Sequence, residues 1–170
     1  MRISITIVLS LVFSLVVSSQ EKDIEKAIET IENFKKADEG IGMLFDSAYG
    51  YAVLPAIGKG GIGIGGAGGK GTVFKGGEPV GDVRMIQVTL GFQFGGQKYA
   101  EVIFFEDEPA YKRFVEQDFE FAAQVSAVAL TSGVSADAKY VDGVLVFTQA
   151  LGGLMYEASV GGQQFKVELY

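Results

Sequence analysis

The sequence predicts an α+β domain in which a curled antiparallel β-sheet, barrel-like or sandwich-like, carries an N-terminal amphipathic helix and a short inserted helix. Three observations lead there. Apolar residues recur at steps of three and four in Glu21–Glu39, "EKDIEKAIETIENFKKADE". From Tyr49 onward the period changes to two, with breaks at glycine pairs. "EDEPAYKRFVEQ" then interrupts the alternation with a helix-start pattern.

A chain of 170 residues is long enough for one domain with a real core, and 48% hydrophobic residues, 13 Phe and 7 Tyr among them, exclude a disordered chain. There is no His and no Cys. A Ser-His or Cys-His nucleophile, a zinc site of the usual ligands and any disulfide are therefore excluded. No cofactor is expected. The net charge of −7 argues against general attraction to nucleic acid or to anionic membrane, although a local basic patch could still override that.

The first element, "MRISITIVLSLVFSLVVSSQ", has one Arg, an apolar run from Ile3 to Val17 and then small residues. It reads as a signal peptide over residues 1–19, with Val17 and Ser19 at the small-residue positions before Gln20. The run is short for a bilayer span, which takes about 20 residues. Loss of Arg2 would take the charge from −7 to −8, and without cysteine there is no lipoprotein attachment site. A secreted or periplasmic protein is expected, with a helix over 20–39 and a domain over 40–170.

In that helix Ile24, Ile28, Ile31 and Phe34, with Ala27 beside them, form an apolar stripe expected to cover the core, and Gly40 ends it. Its polar face carries seven acids and four lysines, unlike a basic membrane-surface helix. "YGYAVLP" reads as a strand ended by Pro55. Strands then follow across turns at Gly76-Gly77 and Gly95-Gly96. In the middle strand Ile86, Val88, Leu90, Phe92 and Phe94 alternate with Gln87, Thr89 and Gln93, which predicts the apolar set inward and the polar set wet. In the inserted helix Asp107 can cap and Pro109 suits the first turn. "FEFAAQVSAVAL", "GVLVFTQAL", "LMYEASV" and "FKVELY" complete the strands, with turns at Val141-Asp142-Gly143 and Gly161-Gly162. "FGGQKYAEV" and "VGGQQFKVE" share a Gly-Gly-Gln turn, read as two similar turns.

Between the first strands lies Gly58–Gly71, "GKGGIGIGGAGGKG", with nine glycines in fourteen residues. Gly63, Gly65 and Gly68 satisfy the dinucleotide fingerprint, but a strand pattern follows where a helix is needed. A P-loop fails because Ile64 and Gly71 stand where a glycine and a hydroxyl residue are required. The alternation of Ile62 and Ile64 argues for a strand with one bare face, against which a backbone, a ring or an acyl chain can lie. Lys59 and Lys70 flank it. An apolar strip with an ammonium at each end suits an amphipathic anion; the alternative is plain packing with both lysines solvated.

"GYAVLPAIGKGGIGIGGAGGKGTVF", followed by "TLGFQFGGQKYAEVIFFED" and a tail of short strands, resembles the SYLF domain family, the Ysc84 actin-binding domain. The resemblance runs from about Ala37 to the end. It implies a lipid-binding module whose eukaryotic members bind phosphoinositides, some of them actin filaments. Carried onto this chain, it implies Lys59 and Lys70 as anion contacts and Gly60, Gly61, Gly63, Gly65 and Gly66 as the strip between them. An exported chain is not expected to meet actin.

The expectation is a non-enzymatic module binding phospholipid or a membrane surface. A structural or interaction module of the cell envelope is the alternative. The best enzyme candidates, Glu106, Asp107, Glu108, Asp118 and Glu120, are a local group of carboxylates of the kind that cleaves glycosides when held across a groove. Helix capping and strand alternation account for them better, so no catalytic residue is assigned.

Overall fold

The computed structural model describes the backbone of residues 3–91, 96–116, 119–121, 127–152 and 161–170, and side chains from residue 20 on apart from 61–64 and 89–91. Asp118, the expected strand over 154–160 and the residues of the middle strand beyond 91 lie outside the described residues.

Helix α1 runs unbroken over Ile3–Ala37, across the expected boundary at Gln20. Its buried side is Ala27, Thr30, Ile31 and Phe34. Thr30 is tolerated there because its hydroxyl donates to the Lys26 carbonyl at 2.8 Å. Ile28, expected in the stripe, is 50% exposed, since a stripe centred on positions 27, 31 and 34 leaves 28 at its margin. The helix ends at Ala37, and Gly40 precedes a second helix, α2 (Ile41–Ser47), that is too short to announce itself by periodicity. Asp38 secures this corner. Its two carboxylate oxygens accept the Gly40 amide at 2.9 Å and the Ser135 amide at 2.8 Å, pinning the helices to a 3-10 turn at Val134–Ala136.

Strand β1 spans Gly50–Lys75 and contains the whole glycine block. Pro55 does not end it. The register shifts between Leu54 and Ile57, and at such an irregularity the missing proline N–H breaks no ladder bond. At its far end Gly76 and Gly77, with φ 59° and 86°, form the tight turn into β2 (Glu78–Gly91). The first half of β1 pairs with β3 (Gly96–Phe105) and the second half with β2, from Gly50 opposite Phe105, through Gly60 opposite Gly96, to Lys75 opposite Glu78. Helix α3 (Glu108–Glu116) follows, its start capped by Asp107, which accepts the Ala110 amide at 2.9 Å as expected.

The remaining strands are β4 (Phe119–Glu120), β5 (Val128–Ala129), β6 (Val144–Gly152) and β7 (Gln163–Leu169). The sheet order is β4-β7-β2-β1-β3-β6-β5. Among the described residues all pairs are antiparallel except β5 with β6, a two-residue departure from the expected antiparallel sheet. The sheet is curled into a half-barrel because β1 doubles back: a Cβ on Gly71 would run into the Val53 carbonyl, and one on Gly69 would meet the Ala56 carbonyl at 3.0 Å. The bare face of the glycine strand therefore lies, at these positions, against another stretch of its own backbone.

Two cores result. Ala27, Ile31, Phe34, Ile41 and Phe45 of the helices pack on Tyr51, Val53, Phe74, Phe104 and Phe147 outside the curl. Inside it, Leu54, Ile57, Val73, Met85, Ile103, Phe105 and Phe165 close around Tyr111 and Phe114 of α3. Many phenylalanines are explained by these layers, whose rings mostly meet edge-on or tilted, as Phe45 does Phe104 at 4.8 Å and Phe105 does Phe114 at 4.7 Å, while Phe74 stacks on Tyr51 at 5.1 Å.

One expectation is reversed. In β2 the odd positions Val83, Met85 and Gln87 are buried, while Ile86 and Val88 are 62% and 75% exposed. The strand keeps one register with β7 from Gly81 to Gln87, so once Val83 and Met85 occupy the core, period two sends Gln87 inward and the isoleucine and valine outward.

Candidate functional site

The reversal creates a surface. On the outer face Lys70, Arg84 and Lys166 stand directly opposite one another on β1, β2 and β7, all exposed. With strands about 4.8 Å apart, the outer two are roughly 10 Å from each other. The next row toward the doubled-back end of β1 is Gly68, Ile86 and Gln164, with Glu120 of β4 beyond; after it come Gly66 and Val88. In the opposite direction the row is Thr72, Asp82 and Glu168. A shallow depression of about 520 Å³ lies on this face, lined by Arg84, Ile86, Glu120, Gln164, Phe165 and Lys166. A second, of about 230 Å³, brings Lys70 and Arg84 beside Asp23 of α1 and Asp82. Asp82 accepts the Tyr170 hydroxyl at 2.8 Å and Glu120 the Gln164 amide at 3.1 Å, so both acids have partners of their own.

Lys59 and Lys70, expected at the two ends of one strip, stand on opposite faces. Lys59 follows Ile57 by two residues with no irregularity between them, which puts it on the inner face at the mouth of the curl. It is half-buried, and burial holds its ammonium below the usual lysine value. Of the expected strip, Gly60 and Gly65 are half-exposed, and Gly66 is exposed with open space above it except for the Gln87 carbonyl, 3.5 Å from where a Cβ would stand. Gly63 pairs with Gly91 in the ladder; what surrounds Gly61 and Gly63 lies outside the described residues. Only Lys70 joins a cluster. Its companions Arg84 and Lys166 went unnoticed because a cross-strand row depends on register. The signal available was the alternation Asp82, Arg84, Ile86, Val88 along a single strand.

Of the carboxylates weighed as acid–base groups, three are engaged elsewhere, and Asp118 lies outside the described residues. Asp107 caps α3, Glu108 pairs with Lys112 at 3.0 Å and Glu120 is held by Gln164.

The positions that β2 and its neighbours turn inward are polar at this end of the curl. Gln163 of β7 donates from its Nε2 to Glu101 Oε2 at 3.0 Å and to Tyr99 Oη at 3.2 Å, both on β3. Glu101 is 0% exposed, and burial pushes its carboxyl up to about 8 against a smaller downward pull from the Gln163 bond. Burial and the neighbouring Glu101 hold the Tyr99 phenol far above its ordinary value. The two Gly-Gly-Gln motifs of the sequence lead into strands here, one into β3 with Tyr99 and Glu101 and the other into β7 with Gln163.

No protein-family model matches the chain. Among curated proteins it is similar to Beta cell expansion factor A of Aeromonas veronii, 30% identical over 135 residues that cover 74% of this chain and 48% of that protein. The chain thus spans about half the length of the curated relative it matches.

Proposed function

We propose that the chain is an exported, non-enzymatic lipid-binding module that docks on anionic phospholipid through the outer face of β1, β2 and β7. One observation carries this reading: the order of side chains along that face. Read toward the doubled-back end, β2 presents Asp82, Arg84, Ile86 and Val88, and β7 presents Glu168, Lys166 and Gln164. That is the order from water through headgroup to hydrocarbon. Four residues of strand separate Arg84 from Val88 by roughly 13 Å, comparable to the depth over which an interfacial element passes from phosphate to acyl chain. The bare positions Gly66 and Gly68 leave room beside Ile86 and Val88. In a chain of net charge −7, attraction to an anion needs a local field, which the basic row supplies. The relative's name speaks of expansion of beta cells and of no ligand or reaction, so the lipid reading rests on this face and on the SYLF resemblance.

Co-sedimentation with vesicles of anionic or zwitterionic phospholipid, at low and high salt, tests it. The protein should favour anionic vesicles and lose binding with salt. Each basic residue near an anionic surface is worth about 1 kcal/mol, so Arg84→Glu with Lys166→Glu should weaken binding well over tenfold. Equal sedimentation of parent and variant, or indifference to lipid charge, would overturn the reading and leave the apolar face to an envelope protein partner. Intact mass of exported protein tests the leader separately, with a chain beginning at or near Gln20 expected.

A further inference from the structure

We propose that Glu101, Gln163 and Tyr99 form a proton-dependent latch that holds the two walls of the half-barrel together and lets them part in alkaline solution. Strand β7 and strand β3 are not neighbours in the sheet, for β2 and β1 stand between them. The two bonds from the Gln163 amide therefore cross the interior from wall to wall. All three residues are buried, as is Thr148, directly opposite Glu101 on β6.

The cluster has more acceptors than donors. Glu101 Oε1, Gln163 Oε1 and Thr148 Oγ1 lack a hydrogen-bond partner among the described residues. A protonated Glu101 brings one further donor into this set; an ionised one brings a charge that, among the described residues, only the Gln163 amide meets. The other titratable groups facing the interior are few among the described residues. Tyr99 and, on α3, Tyr111 both have phenols raised by burial, and on β1 Lys59 has an ammonium lowered by burial. Strands β2, β6 and β7 contribute the uncharged Gln87, Thr148 and Gln163.

The direction follows from burial. In the closed molecule Glu101 keeps its proton up to pH about 8, whereas a solvated glutamate releases it near 4.5. The closed form is thus favoured at low pH, and that advantage is lost as the pH climbs to about 8.

Hydrogen exchange of the full chain, read by mass spectrometry alongside binding of an apolar dye from pH 6 to 9.5, tests the latch. Relative to Glu101→Gln at the same pH, the parent should lose protection in 98–104 and 163–168 and take up dye above pH about 8. Glu101→Gln should stay closed throughout, and Lys59→Gln should behave like the parent. Gln163→Leu, which removes the bridge without altering any charge, should open the same segments already at pH 6. An alkaline transition that survives Glu101→Gln, that follows Lys59, or that loosens α3 while β3 and β7 stay protected would overturn the proposal. So would a parent that stays closed to pH 9.5.

Discussion

At Gly71 one absent Cβ decides how closely two stretches of backbone approach. The Val53 carbonyl occupies the space a side chain would need, and the obstacle is backbone, which cannot swing aside. Gly71→Ala should therefore cost about 3 kcal/mol, at the upper end for overpacked cores, while alanine at exposed Gly66, where only ordinary contact is met, should change stability little. Chemical denaturation of both variants checks this; equal losses would mean that the doubling back of β1 is misplaced. Asp38 is a second residue whose role was invisible in the sequence, because Ser135 lies 97 residues away. Burial pushes its carboxyl up, yet the Ser135 and Gly40 donors win and hold it below the usual value. Asp38→Ala removes an acceptor shared by two amides and should destabilise by roughly 2 to 3 kcal/mol.

Among the elements, β2 separates period from direction. Its alternation was legible at once, since Ile86, Gln87 and Val88 differ sharply in polarity. Which side faces the core was not, because period two is symmetric and only contact with Val83, Met85 and their neighbours in β7 breaks the tie. The outward assignment makes a sharp prediction. Met85→Ala should lower stability by about 2 to 5 kcal/mol, and Val88→Ala by less than about 0.5 kcal/mol. The opposite ranking in thermal unfolding would restore the expected orientation and remove the lipid face with it. Ile86→Ser with Val88→Ser should fold like the parent yet bind vesicles more weakly.

For the whole molecule two carboxylates set opposite pH limbs. Asp38 has a lowered value when folded, so its contribution is present above about pH 3.8 and is lost as the pH falls. Glu101 has a raised value, so its contribution is complete below about pH 4.5 and fades toward pH about 8, by at most about 1.4 kcal/mol per pH unit. The thermal midpoint should therefore peak in mildly acid solution. Glu101→Gln should flatten the alkaline limb and leave the acid limb intact; a parent curve already flat from pH 5 to 8 would contradict the buried acid.

The sequence by itself determined the α+β class, the amphipathic helix, the capped insertion at Asp107 and the strand character of the glycine block. Each of these depends on residues within a few positions of one another, where period and capping chemistry act locally. Tertiary structure alone decided that Lys59 and Lys70 part to opposite faces, that Lys70 joins Arg84 and Lys166, and that Glu101 meets Gln163 across the curl. Those outcomes depend on register and on a strand folding back on itself. Both are settled by which distant side chains fill the core, a contest that no local pattern records.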